Sequence, residues 1–122
     1  MKRTLFQLVL KDCDEAIAFY SDAFQASVTR MHRDPETGAV FHAEIDAFGQ
    51  CIAFTESTGE VIVGNTMMFC FELGEGSDKQ IEHAYNILQQ GAEINHPLGP
   101  CSWSPLMMGL TDKYGTSWCL FV

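Results

Sequence analysis

The chain is poor in basic residues. Seven lysines and arginines stand against 16 acidic residues, which gives a formal net charge of -9 at pH 7. Such a surface repels phosphate backbones and anionic lipid headgroups. The few basic residues also form no stripe along the sequence. We therefore expect no nucleic-acid partner and no attraction to anionic membranes.

Long apolar runs are absent as well. No segment approaches the roughly 20 consecutive apolar residues that a membrane-spanning helix requires. The basic start of the chain is followed by a short apolar run that contains Gln7 and enters an acidic segment. This pattern is a poor signal peptide and a better first strand, so we expect no membrane partner.

The five cysteines lack the spacing of a disulfide framework or of a structural zinc site. Their number is odd, and no two of them form a C-x-x-C pair. We interpret them as free thiols, which indicates a reducing, cytoplasmic location. The sequence also contains no glycine-rich strand-to-helix loop of the kind that binds a nucleotide-like cofactor.

What the chain does have is apolar content and a repeated pattern. Apolar residues make up 47% of the 122 residues, enough for the core of one domain. The first half shows the alternation and turn signals of strands at 4–10, 27–32, 40–47 and 51–57, with a helix at 12–24. The second half shows the same signals for strands at 66–73, 92–96, 106–112 and 116–122, with a helix at 77–91. Capping-box spacing predicts that Asp12 with Glu15, and Ser77 with Gln80, begin the two helices.

Each half therefore has the order strand, helix, strand, strand, strand. We predict an α+β fold in a single domain of two βαβββ modules, at about 1–57 and 65–122, joined by a short connector. One module alone leaves open sheet edges. Two modules can curl around a shared space, so we expect a curved, partly closed mixed sheet with a cleft.

The segment "VFHAEIDAFGQ" contains the first candidate site. In an extended chain His42 and Glu44 point to one side, and Phe41, Ala43 and Ile45 point to the other. The apolar side is expected to pack on the helix, which leaves His42 and Glu44 facing the cleft. A histidine beside a carboxylate can act as a general base. The alternative is a solvated strand face without chemistry.

Several segments together are similar to one known superfamily. "DCDEAIAFYSDAF" resembles the start of vicinal-oxygen-chelate (glyoxalase/bleomycin-resistance/dioxygenase) domains. "FHAEIDAFGQCIAF", "LQQGAEINHPLGPCSWSP" and "GLTDKYGTSWCLF" resemble its PhnB-like, or demethylubiquinone methyltransferase-like, branch. The resemblance covers essentially the whole chain and implies paired βαβββ modules, a glyoxalase-like cleft and a homodimer. The superfamily includes glyoxalases, dioxygenases, fosfomycin-modifying enzymes and bleomycin-sequestering proteins, so this fold does not fix the function.

The resemblance also implies where a metal would bind. Its ligand positions, on the first and last strand of each module, fall at Leu5 or Gln7, Ile52 or Ala53, Met67 or Met68, and Cys119. Most of these side chains cannot ligate a hard cation. A divalent metal stays open as a cofactor, but the usual ligands for it are mostly missing.

Three further residues are candidates for ligand binding. Gln7 offers a neutral oxygen donor at a family ligand position. Trp103 lies in a loop rich in proline and glycine, where an aromatic ring can cover a ligand; the alternative is a plug at the end of the core. Cys119 lies at the other ligand position, and its alternative is a small buried apolar residue. Cys51 and Cys70 are expected in the core.

Three functional hypotheses follow. In the first, the protein is a lyase, isomerase or transferase on a small polar substrate, with His42 and Glu44 as acid–base groups. In the second, it binds and sequesters a small, antibiotic-type molecule without catalysis. A third hypothesis is an interaction module with a vestigial cleft. The net charge favours a neutral or cationic ligand.

Overall fold

The computed structural model describes residues 1–122 and contains ten helices and strands. The strands are β1 Leu5–Leu10, β2 Val28–Arg33, β3 Val40–Ala47, β4 Gln50–Glu56, β5 Phe69–Glu72, β6 Glu93–Gly99, β7 Met107–Thr111 and β8 Ser117–Phe121. The helices are α1 Cys13–Ala23 and α2 Asp78–Leu88. Both have 11 residues, and neither has the length and apolarity that a membrane crossing requires.

The chain divides into two compact units, Met1–Ile62 (unit 1) and Val63–Val122 (unit 2). Unit 1 contains a four-stranded sheet in the order β1-β4-β3-β2, and unit 2 contains one in the order β5-β8-β7-β6. In each sheet the first and last strand of the unit pair in parallel, and the other pairs are antiparallel. Neither sheet closes on itself. The predicted α+β class and its two βαβββ modules are confirmed.

In unit 1, α1 covers one face of the sheet. Its buried residues, which include Ile17 and Tyr20, recur at helical spacing along one stripe. The Tyr20 ring lies 5.8 Å from the ring of Phe54, which is the cross-strand partner of Ala43. The opposite face carries no helix of this unit, and we call it the open face of unit 1. Gln7, Glu44 and Ala53 lie on it, because Ala53 is the register partner of both other residues.

Unit 2 is built in the same way. Its core contains the fully buried Trp118, whose ring lies 5.2 Å from that of Phe69 and 5.8 Å from that of Phe71. The fully buried Ile81 and Leu88 of α2 complete this side. The residues that alternate with Trp118 lie on the other face, which we call the open face of unit 2. It includes Cys70, Gly109 and Cys119, where Cys119 is the register partner of both others.

Asp12 and Ser77 are the N-cap residues of the two helices, as predicted, but neither forms the expected capping hydrogen bond. Asp12 adopts a left-handed backbone with φ 53°, and its side chain makes no capping hydrogen bond. The carboxylate of Glu56, at the end of β4, instead accepts hydrogen bonds from the backbone N–H groups of Asp12 and Cys13, at 3.1 and 3.2 Å. Ser77 also makes no capping bond, and its hydroxyl donates to the carbonyl of Gly74. A partner distant in sequence therefore replaces the local cap of α1.

Phe41 does not pack beneath the helix as predicted. Its side chain is 58% exposed, whereas Val40 is buried. The cause is a register shift between β2 and β3, where His32 pairs with His42 but Arg33 pairs with Val40. Such a bulge interrupts the alternation of side chains along a strand.

Two strand boundaries also differ from the prediction. β5 begins at Phe69 rather than 66, so Met67 and Met68 precede it and are exposed. β6 continues through Pro97 to Gly99, where a loop was expected. Proline is tolerated there because β6 is an edge strand of its sheet.

Candidate functional site

Glu44 occupies the centre of the open face of unit 1. It lies on β3, in register with Arg30 on β2 and with Ala53 on β4. Its side chain is only 5% exposed. A carboxylate is rarely this buried without charged partners, so its partners define the candidate site.

The main partner of Glu44 is Arg3, which precedes β1. The Arg3 guanidinium donates from Nη1 to Oε2 at 2.9 Å and from Nη2 to Oε1 at 2.7 Å. This bidentate fork is the strongest geometry for an arginine and a carboxylate. A second guanidinium is near, since Nη1 of Arg30 lies 3.9 Å from Oε1. We call Arg3, Arg30, His42 and Glu44 the Glu44 cluster.

These contacts hold Glu44 in its ionised form. The hydrogen bonds from Arg3, followed by the one from His42, hold the pKa of the Glu44 carboxyl well below its usual range. Desolvation acts in the opposite direction but is outweighed. Glu44 is therefore a carboxylate at any pH near neutrality, and its oxygens are already engaged by donors.

His42 is the third member of the cluster and is more accessible than Glu44. Its Nε2 lies 2.8 Å from Oε1 of Glu44, and its side chain is 31% exposed. Because Glu44 is an anion, it accepts the hydrogen bond, so Nε2 carries the proton. In a neutral ring this leaves Nδ1 as the nitrogen that can accept a proton from elsewhere.

The family ligand positions of unit 1 do not fit a divalent-metal site. Gln7 is exposed on the open face, but Leu5, Ile52 and Ala53 offer only hydrocarbon. No three or more histidine, cysteine, aspartate or glutamate side chains come together in an arrangement that could hold a metal ion. Glu44 itself is already paired with Arg3, which would compete with any cation.

Trp103 and Cys119 belong to unit 2, whereas the other three candidates, Gln7, His42 and Glu44, belong to unit 1. Trp103 is 64% exposed, and its ring meets that of Phe121 edge to face at 6.4 Å. The alternative in which Trp103 plugs the core is therefore wrong. Cys119 is 8% exposed and lies on β8.

Cys119 has other thiols as neighbours. Its register partner is Cys70 on β5, which is exposed, so the prediction that Cys70 belongs to the core is wrong. Burial raises the pKa of Cys119 to about 11, with further contributions from Cys70 and then Cys101. Cys119 is therefore protonated near neutral pH and is a poor nucleophile there.

Two surface cavities lie elsewhere. One, of about 360 Å³, is lined in unit 2 by Val63, Gly64, Asn65, Glu93, Thr111 and Ser117. The other, of about 320 Å³, lies beside the start of α1 and is lined by Asp12, Cys13, Asp14, Glu15, Ala39, Val40 and Glu56. Neither includes His42 or Glu44. The candidate site of unit 1 is therefore defined by its polar contacts.

Sequence reasoning missed Arg3 and Arg30. Arg30 could in principle have been predicted from the sequence. Once the register of the β2–β3 hairpin is known, Arg30 and Glu44 lie opposite each other. Arg3 lies before the first strand, 41 residues from Glu44. No local pattern in the sequence marks it as a partner.

Comparisons with known proteins agree with this architecture. Residues 4–120 match the family model described as Glyoxalase/Bleomycin resistance protein/Dioxygenase superfamily. No match was found among curated proteins.

Three similar solved structures align with this chain over nearly the whole length of both chains. A putative 3-demethylubiquinone-9 3-methyltransferase, PhnB protein, from Bacillus cereus is 27% identical, with TM-score 0.80 and coverage of 99% of this chain and 98% of that one. Protein PA1353 from Pseudomonas aeruginosa is 16% identical, with TM-score 0.81 and coverage of 99% and 97%. A mutant of the fosfomycin resistance protein FosX from Listeria monocytogenes, complexed with Mn(II) and 1S,2S-dihydroxypropylphosphonic acid, is 16% identical, with TM-score 0.72 and coverage of 99% and 92%.

Proposed function

The chain belongs to the glyoxalase/bleomycin resistance protein/dioxygenase superfamily, and we propose that it binds a small polar molecule at the Glu44 cluster. The observation that carries the proposal is the nearly buried, ionised Glu44 on the open face of unit 1. A buried ion pair is weak evidence for stability, because apolar residues of similar size often stabilise as well. A charged cluster kept at such a place is therefore a candidate for function.

The charges of the cluster indicate the chemistry of the ligand. Two guanidinium groups, Arg3 and Arg30, surround one carboxylate, so the local balance is positive. Arg30 is 55% exposed and can turn towards a ligand. We propose a ligand with an anionic group, such as a carboxylate or a phosphonate. This replaces the expectation of a neutral or cationic ligand, which rested on the net charge of the whole chain.

Catalysis is the second candidate function, and the contact between His42 and Glu44 favours it. A buried carboxylate that fixes the tautomer of a partly exposed histidine is an arrangement that supports general acid–base catalysis. In this proposal His42 transfers the proton, and Glu44 is a positioning residue rather than a second acid–base group. The reaction would be that of a lyase, isomerase or transferase on a small polar substrate.

The binding proposal is tested with simple anions. Methylphosphonate, acetate and, for comparison, methylammonium are titrated into the protein while the imidazole signals of His42 are followed by NMR. We expect saturable shifts with methylphosphonate or acetate that Arg30→Gln weakens by about tenfold, through the loss of one charge-assisted contact. Arg33→Gln is the matched control, because Arg33 pairs with Asp14 elsewhere in unit 1. Shifts that are equal for all three probes, or equally weakened by Arg33→Gln, would contradict the proposal.

The catalytic candidate is tested separately on His42. With an anionic substrate in hand, His42→Gln should keep binding within a few fold but abolish turnover, because glutamine retains a hydrogen-bond donor and cannot transfer a proton. Turnover that survives this change would remove the acid–base role. Binding without any turnover in the wild-type protein would favour the sequestering function.

Oligomeric state and location belong to the same proposal. We propose a homodimer, supported by exposed apolar side chains of unit 1 such as Val9 and Val28. Sedimentation equilibrium at several concentrations tests it.

We propose a reducing compartment such as the cytoplasm because all five cysteines are free.

A further inference from the structure

A pair of thiols lies side by side on the open face of unit 2. Cys70 on β5 and Cys119 on β8 are register partners in a parallel pairing, so their side chains project on the same side of the sheet. Neighbouring strands lie about 4.8 Å apart. This separation is within the range of about 4.4–6.8 Å that a disulfide spans between Cα atoms.

The two thiols differ in access. Cys70 is exposed, whereas Cys119 is 8% exposed. Burial and the raised pKa of Cys119 keep it largely as the protonated thiol, which peroxide in solution oxidises poorly. Redox-active pairs commonly combine an accessible cysteine that reacts first with a second cysteine that resolves the product.

We propose that Cys70 and Cys119 form a peroxide-reactive dithiol site that closes reversibly to a disulfide. The Cys70 thiolate attacks hydrogen peroxide: an S–O bond forms, the O–O bond breaks and hydroxide leaves. The Cys119 sulfur then attacks the resulting sulfenic sulfur. An S–S bond forms, the S–O bond breaks, and the hydroxyl group leaves as water with the Cys119 proton. Two thiols are oxidised, and one peroxide is reduced to two waters once the first hydroxide is protonated.

The disulfide would change unit 2 in two ways. It joins β5 to β8 covalently across a pairing of only four residues, and it removes both thiols from the open face. It also closes a long loop of the chain between positions 70 and 119, which restricts the unfolded state and raises the unfolding temperature. Because the bond has an exposed cysteine on one side, thiol reductants can reopen it.

The experiment treats the reduced full-length protein with substoichiometric to stoichiometric hydrogen peroxide. At one equivalent of peroxide per chain we expect the free-thiol count to fall by two of the five, and peptide mapping to find Cys70 linked to Cys119 within one chain. The unfolding temperature should rise and return to its initial value after dithiothreitol. In Cys119→Ser, dimedone should trap a sulfenic acid on Cys70, and the temperature rise should be lost.

Cys51→Ser is the matched control, since Cys51 is a partly accessible thiol of unit 1. It should leave the Cys70–Cys119 link and its temperature rise unchanged. The proposal is overturned if the link joins Cys101 instead, if it joins two chains, or if Cys70 proceeds to sulfinic acid without a link. Circular dichroism of the reduced variants checks that each has folded, so a missing link cannot be ascribed to misfolding.

Discussion

Unit 1 and unit 2 share one topology, but each buries a carboxylate in a different way. In unit 1, Glu44 lies on the open face and is held by the charged side chains of Arg3 and His42. In unit 2, Asp112 lies at the end of β7, and its Oδ1 accepts hydrogen bonds from the backbone N–H groups of Tyr114 and Thr116. Its Oδ2 accepts a hydrogen bond from the indole N–H of Trp118 at 2.8 Å.

The difference separates a structural carboxylate from a candidate functional one. These three partners of Asp112 are neutral groups of its own turn and core, and they fix the β7–β8 hairpin. The partners of Glu44 are side chains that can exchange a protein contact for a ligand contact. A sheet face that packs on a helix must be apolar in both units, whereas the open face is free to vary. The open face accordingly carries the Glu44 cluster in unit 1, whereas in unit 2 it carries the thiols of Cys70 and Cys119.

The largest effect is expected for Asp112→Ala. It leaves the buried Trp118 indole and two turn N–H groups without their acceptor, which we expect to cost about 3 kcal/mol of unfolding free energy. Both tryptophans, Trp103 and Trp118, lie in unit 2, so urea unfolding followed by tryptophan fluorescence reports on this unit directly. Asp112→Asn, which keeps one acceptor oxygen, should recover part of the loss. A loss of unfolding free energy below about 1 kcal/mol, the value of an ordinary hydrogen bond, would show that Asp112 does not have this structural role in unit 2.

A smaller loss is expected for Arg3→Ala. The change leaves Glu44 nearly buried without its main partner, but the Arg3 side is 41% exposed and water can enter. We therefore expect a smaller loss of unfolding free energy than for Asp112→Ala, and a smaller one than for a fully buried pair. Hydrogen exchange of the β3 and β4 amides measures the effect within unit 1. In the double variant Arg3→Ala with Glu44→Gln, much of the loss should return, because no unpaired charge remains.

The acid dependence of stability tests whether Arg3 sets the ionisation of Glu44. The folded pKa of Glu44 is lowered, so its ion pair stabilises fully above the ordinary carboxyl value of 4.5. This contribution is lost progressively as the pH falls below that value. Between neutral pH and about pH 3, the wild-type protein should therefore lose more stability than Arg3→Ala does. Parallel losses in the two proteins would show that Arg3 does not set the ionisation of Glu44.

The sequence predicted elements well where local pattern decides them. Strand 40–47 was predicted with the boundaries of β3, because its alternation and flanking turns are both local. The cap of α1 was missed because Glu56 supplies it from 44 residues away. Phe41 was misplaced because a bulge depends on the partner strand. Cys70 was assigned to the core because the apolar run around it hides which face it occupies.

The candidate site, too, could be predicted from the sequence only where local pattern decides it. His42 and Glu44 could be chosen from the sequence, since a two-residue spacing on a strand places them on one face. The ionised state of Glu44 could not, because Arg3 sets it through a contact across the sheet. The assignment of acid–base roles to both residues stays a prediction, and the geometry favours His42 for proton transfer.

The smallest effect, and the sharpest reference for the others, is expected for Arg33→Ala. Arg33 and Asp14 form a second bidentate pair in unit 1, at 2.6 and 3.0 Å, nearly the same geometry as Arg3 with Glu44. The Arg33 side chain is 42% exposed and that of Asp14 is 67% exposed, so solvent screens the attraction between them. We expect a smaller change in unfolding free energy than for Arg3→Ala, measured by urea unfolding followed by circular dichroism. If Arg33→Ala and Arg3→Ala cost the same, burial would not explain why the Glu44 cluster is special. An effect several times smaller for Arg33→Ala would locate the difference between the two ion pairs in the solvation of Glu44 itself.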